Sequence, residues 1–156
     1  MNISHGDGEH DVLRPGRGSD LLLRHSFEAE SGSIAMARYA VKRFLDALDA
    51  RCPSTETRAA GDVLLAVSEL VTNVVRHTTG PGLLVMSYRE GLVTIVVRDS
   101  STEPVRSPER VTRLDGRGGL GWPLLQELTT ALAVVPLVDG KEIHAHLPWP
   151  TERSDP

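Results

Sequence analysis

Apolar residues along the chain follow two periods, and the switches between them outline the elements. The run "LLLRHSFEA", starting at Leu21, predicts a first strand from its length and composition. Next, Ile34, Ala37, Val41, Phe44 or Leu45, and Leu48 recur at helical spacing; Ser31 or Ser33 is placed to cap that helix, and Pro53 lies beyond its end. A second helical stripe, predicted from Ser54 or Thr55 to about His77, carries Val63, Val67, Leu70 and Val74, widened by Leu64, Val71 and Val75; "TTGPG" stops it. "LLVMSYR" and "LVTIVVRD", joined by Glu90-Gly91, predict an antiparallel hairpin. After a long polar segment, 100–121, a third helix opens with Pro123 and continues through Leu124, Leu125, Leu128 and Leu132. "LAVVPLV" and "KEIHAHLPW" flank an Asp139-Gly140 turn as a second hairpin, with Ile143, Ala145 and Leu147 alternating.

The resulting order, β-α-α-β-β-loop-α-β-β, predicts a two-layer α/β (α+β) sandwich with helices on one face of a mixed, largely antiparallel sheet. The 156 residues suit one domain. It is expected over 21–149, between disordered tails at 1–20 and 150–156. A formal charge of -4 without a basic block argues against nucleic acid as a partner. Cys52 is the sole cysteine, which excludes an intrachain disulfide and a cysteine-based metal site. His5 and His10, in a polar tail, read as solvent-exposed passengers. Only Lys42 and Lys141 are lysines among the 17 basic residues. The first twenty residues do not have the form of a signal peptide, and no apolar run reaches membrane-spanning length, so the expected location is cytoplasmic with no membrane partner.

Three segments carry candidate chemistry. "DGRGGLGWPLL" contains Gly116, Gly118, Gly119 and Gly121 and spells G-x-G-x-x-G, but the preceding "RSPERVTRLD" is not an apolar strand, so a dinucleotide-binding turn fails on context. No Gly-Lys-Ser/Thr follows, which excludes a P-loop. Two readings stay open: a flexible surface loop, or a loop whose free N–H groups and following helix N-terminus hold phosphate. In "SELVTNVVRHT", Glu69, Asn73 and His77 stand at i, i+4 and i+8 and form a polar ridge beside the apolar stripe. A carboxylate and an amide one turn apart suit a hard cation such as Mg²⁺, although a solvated helix face with chance spacing explains the same residues. Asp99 ends its strand on the side of Val93, Ile95 and Val97. It is a turn former there, or an acceptor for the exocyclic amine of a buried base.

Together, and in this order, these segments resemble the Bergerat-fold, histidine-kinase-type ATPases, most closely the bacterial anti-sigma factor serine/threonine kinase-like regulators. "LLAVSELVTNVVRHT" resembles the family's Asn-bearing helix, "VTIVVRDSS" its adenine-binding strand end and "GRGGLGWPLL" its Gly-rich ATP lid. The likeness runs over roughly 21–149 and includes "SIAMARYAVKRFL". The resemblance implies ATP and Mg²⁺ as cofactors. It makes Asn73 the Mg²⁺ ligand and Glu69 the general base, places Arg76 and His77 near phosphates or ribose, and sets Asp99 on the adenine amine. Gly116, Gly118, Gly119, Leu120 and Gly121 would form the lid.

Two departures stand out. Where the family has glycines two and four residues after the aspartate, this chain has Ser101 and Glu103, which implies a less closely shaped adenine pocket. The lid segment is also Arg-rich, with Arg106, Arg110, Arg113 and Arg117 against Glu109 and Asp115, suited to phosphates or to an acidic partner. The resemblance implies an ATP-binding regulator that transfers the γ-phosphoryl group to a serine of an anti-anti-sigma-type protein and controls a sigma factor, as a homodimer. A sensor histidine kinase is not expected, since the chain shows no membrane or phosphoacceptor-helix segment. The alternative is a non-catalytic, nucleotide-gated partner-binding module with a degenerate ATP site.

Overall fold

The computed structural model describes residues 12–17, 20–102 and 121–152. Its elements are β1 (Val12–Pro15), β2 (Leu21–Phe27), α1 (Ser31–Arg51), α2 (Ala59–His77), β3 (Gly82–Arg89), β4 (Leu92–Asp99), α3 (Gly121–Leu128), β5 (Ala131–Leu137) and β6 (Gly140–Pro148). The strands form one six-stranded sheet in the order β1-β2-β3-β4-β6-β5. Every described pairing is antiparallel, in line with the largely antiparallel sheet expected, and no parallel pair occurs among the described strands.

One sheet face carries the core. Leu21, Leu23 and Phe27, then Leu84, Met86 and Tyr88, then Val93, Ile95 and Val97, then Ile143, Ala145 and Leu147 are buried at alternate positions of four strands. That period of two is what a half-covered sheet requires. Ala37, Ala40, Val41, Phe44, Leu45 and Leu48 of α1 are buried in the same core, as are Val63, Ala66, Val67, Leu70, Val71 and Val74 of α2 and Leu125 of α3. The central hairpin turns at Glu90 (φ 48) and Gly91 (φ 82). Two successive positive φ values match the right-handed twist of the flanking strands.

Several expected boundaries move, each for a local reason. The N-terminal tail contains β1, an edge strand registered from Val12↔Arg24 to Pro15↔Leu21. A proline is tolerated there because an edge strand can spare its N–H. Neither Ser31 nor Ser33 caps α1; the N-cap is Glu30, and Ser33 N–H donates to its carbonyl at 3.0 Å. Helix α2 begins later than expected because the chain before it pairs with the C-terminal segment. Ser54 bridges Thr151, and Thr55 N–H donates to Pro150 O at 2.7 Å, so the C-terminal tail begins tied down. Helix α3 stops at Leu128 rather than reaching Leu132. Thr129 Oγ1 donates to Leu125 O at 2.7 Å, and Thr130 N–H donates to His146 O at 2.8 Å, which draws the chain into the sheet.

A polar latch closes the end of the molecule around Tyr88. Its hydroxyl lies 3.3 Å from Cys52 Sγ and accepts from Gly91 N–H at 3.2 Å, while Trp149 Nε1–H donates to Cys52 O at 2.7 Å. Burial, followed by the Cys52 contact, raises the pKa of that phenol.

The stripe on α2 sets which of its faces looks outward. Leu70→Ala, at a fully buried position, is expected to lower the unfolding free energy by about 2–5 kcal/mol in urea titrations. Arg76→Ala, at an exposed position, should stay within about 0.5 kcal/mol. A loss at Leu70 no larger than that at Arg76 would contradict this packing.

Candidate functional site

The site grows from the polar ridge of α2. With Val67, Leu70, Val71 and Val74 buried, Glu69 and Asn73 fall at the core boundary and are half-buried. Arg76 and His77 lie in the last turn of the helix and are exposed. Ser68 is fixed from both sides: its hydroxyl donates to Leu64 O at 2.8 Å and accepts from Arg38 Nη1 of α1 at 2.6 Å. Among the described residues, neither Glu69 nor Asn73 makes a hydrogen bond or an ion pair. A half-buried carboxylate and amide with unspent oxygens, one helical turn apart, form a donor set for a hard cation that keeps most of its shell in water or phosphate. These residues therefore fit Mg²⁺, to which Asn73 would contribute its amide oxygen.

Opposite Glu69 stands the start of α3. The carboxylate Oε2 lies 2.6 Å from the point a Cβ on Gly121 would occupy, so only glycine admits this approach without displacing Glu69. The first N–H groups of a helix lack intrahelical partners and carry partial positive charge. The amino end of α3 thus faces the acidic end of the ridge. Leu125, fully buried, anchors that short helix to the core. Gly116, Gly118, Gly119 and Leu120, expected in the lid, lie outside the described residues, as do Glu103 and the four arginines of that segment.

Asp99 closes the third side. It is buried, on the face that carries Val93, Ile95 and Val97, as its place in the alternation requires. Its Oδ1 accepts from Ser101 N–H at 2.8 Å and its Oδ2 pairs with Lys141 Nζ at 3.3 Å. Two close approaches set this corner. The Cα of Gly140 lies against Asp99 O, where a side chain would collide, and Gly80, following α2, lies against Ser100. Helix α2 itself packs on β3, β4, β6 and α3, so ridge, strand end and helix start belong to one packed unit.

Sequence reasoning missed Lys141, although the signal was present. It shares the parity of Ile143, Ala145 and Leu147 and therefore points to the helix-covered face. A cavity of about 730 Å³ opens at the end of the sheet, mainly toward its helix-free face beside Arg24, Ser26, Leu83 and Arg98, with Phe27 and Gly82 at its edge, and shares Asp99 and Ser100 with the site. Arg98 pairs there with Asp139 at 3.4 Å, both side chains well exposed, so the contact contributes little. Among the described residues no group of three or more His, Cys, Asp or Glu side chains could hold a metal ion, and no helix is long and apolar enough to cross a membrane.

Comparison with known proteins bears on the same elements. No curated protein matches the chain significantly. Among solved structures, the histidine kinase domain of the blue-light activated histidine kinase from Erythrobacter litoralis EL346 is similar, with a TM-score of 0.46 and 18% identity, covering 72% of this chain. The present chain spans 61% of that chain's length. The profile of the histidine kinase-like ATPase domain matches residues 27–144, a span that takes in Glu69, Asn73, Asp99, Gly121 and Lys141. The chain belongs to the histidine kinase-like ATPase domain family.

Proposed function

We propose that the chain is an ATP-binding regulator that uses Mg-ATP to phosphorylate a serine of an anti-anti-sigma-type protein partner, and thereby controls a sigma factor. The observation that carries this reading is the unspent Glu69–Asn73 pair, with Glu69 set against Gly121 at the start of α3. An acid and an amide one helical turn apart, with the acid against another helix's N-terminus, supply a base, a cation ligand and phosphate donors beside them. The choice of partner rests on the sequence resemblance alone.

In this reading Asp99 accepts from the adenine amine, and Asn73 would hold the cation beside the triphosphate. Bound Mg²⁺ would neutralise charge on the phosphate oxygens. Backbone N–H groups at the start of α3 hold the outer phosphates. Glu69 removes the proton from the incoming serine hydroxyl as its oxygen bonds to the γ-phosphorus; the bond to the bridging oxygen breaks and ADP leaves with that electron pair.

A second reading, a nucleotide-gated clamp without turnover, is favoured by one observation. The Asp99 carboxylate is already engaged by Ser101 N–H and Lys141, so part of its accepting capacity is spent before a base arrives, as in a degenerate ATP site.

Two substitutions separate these roles. Asn73→Ala is expected to abolish the Mg²⁺ dependence of ATP affinity in calorimetric titrations while leaving the urea midpoint near that of the parent. Mg²⁺-dependent binding equal to the parent's would remove Asn73 as the cation ligand. Glu69→Ala should keep ATP affinity within roughly tenfold while slowing phosphoryl transfer by about 10²–10⁴. The readout is labelled γ-phosphate on the serine of the partner captured by the parent protein. Equal transfer rates would make Glu69 structural, and a parent that binds ATP and partner but transfers no label would establish the clamp.

A further inference from the structure

We infer that Lys141 is a second base-reading residue, whose ammonium donates to a ring nitrogen beside the exocyclic amine that Asp99 accepts; the inference rests on the ATP-binding reading above. Strand register places Asp99 opposite Lys141, on the helix-covered side of β4 and β6. The two side chains are 5% and 12% exposed, and Nζ stands 3.3 Å from Oδ2. Gly140, pressed against the Asp99 carbonyl, leaves the start of β6 little room to shift.

Charge neutralisation alone accounts for only part of this arrangement. A buried carboxylate does need a cation, because leaving it unpaired out of water is strongly unfavourable. Yet an ammonium has three N–H donors, and among the described residues Lys141 has no partner but Asp99. Its remaining donors are nearly out of water, where unmade hydrogen bonds are costly. Asp99, for its part, has about four acceptor sites, of which Ser101 N–H and Lys141 take two.

The pair therefore displays an unspent acceptor next to an unspent donor at the end of an apolar sheet face. Adenine presents the complement: an amine flanked by ring nitrogens N1 and N7, both acceptors. Guanine places a carbonyl oxygen where adenine has the amine, and so sets an acceptor against the Asp99 carboxylate.

The test compares ATP, 1-deaza-ATP and 7-deaza-ATP, each lacking one ring acceptor, by calorimetry on the full chain and on Lys141→Met. The parent should bind one of the two analogues roughly tenfold to a hundredfold more weakly than ATP, as for loss of a charge-assisted hydrogen bond. In Lys141→Met that gap should close, because ATP falls to the level of the analogue. Lys141→Gln, which keeps a donor, should restore part of it. A parent that binds all three alike overturns the inference without recourse to any variant, and an analogue gap of equal size in parent and Lys141→Met overturns it as well. A parent that binds ATP not at all removes the ATP-binding reading itself, and this inference with it.

Discussion

The burial of one helical stripe, Val63, Ala66, Val67, Leu70, Val71 and Val74, against the sheet is the constraint on which the rest depends. Once those side chains face the core, the rotation of α2 about its axis is fixed. Glu69 and Asn73 then have no choice but the boundary between core and solvent, since a helix turns about 100° per residue. A polar pair at that boundary is shielded enough to act on a ligand and open enough to receive one. The same rotation sends Arg76 outward, and His77, although on the ridge, is exposed as the last residue of α2, so a role near phosphate would require those side chains to reach back over the site.

The opposite wall depends on the sheet rather than on a helix. Asp99 sits at the last position of β4 that still points inward, and Gly140 lets the start of β6 close on its carbonyl. A charge at an inward strand position is tolerable because Lys141 arrives beside it by register. This closes the proposed base end of the site tightly, in contrast to the proposed phosphate end, where Glu69 meets the first residue of a short helix held by Leu125. The two ends differ in chemistry as well: an ion pair with spare hydrogen-bonding capacity at one, unpartnered oxygens at the other.

What the chain disclosed in advance followed periodicity. The two long helices, both hairpins and the inward side of Asp99 were legible because apolar side chains repeat at 3.6 or 2 over many residues, and burial enforces those repeats. Competition between local and distant pairing was not legible. Ser54 and Thr55 look like a helix start, but they bond to Pro150 and Thr151, nearly a hundred residues away. Leu132 continues the spacing of α3, yet Thr130 has already joined His146. The four residues of β1 were too few to show a period, and their proline argued against a strand. Lys141 was legible by parity, but a lone lysine beside a turn reads as a solvated charge until its partner is known. The glycine-rich stretch expected to form the lid lies outside the described residues apart from Gly121.

The central claim is one of place: nucleotide binds on the helix-covered side, between α2, the end of β4 and the start of α3, and not in the cavity on the bare face of the sheet. Backbone amide NMR during titration of the labelled chain with Mg-ATP tests this most directly. The account predicts saturable shifts concentrated at Glu69, Asn73, Asp99, Gly121 and Lys141, with Arg24, Ser26 and Leu83 nearly still. Shifts concentrated at Arg24, Ser26 and Leu83, with the α2 ridge unmoved, would contradict it.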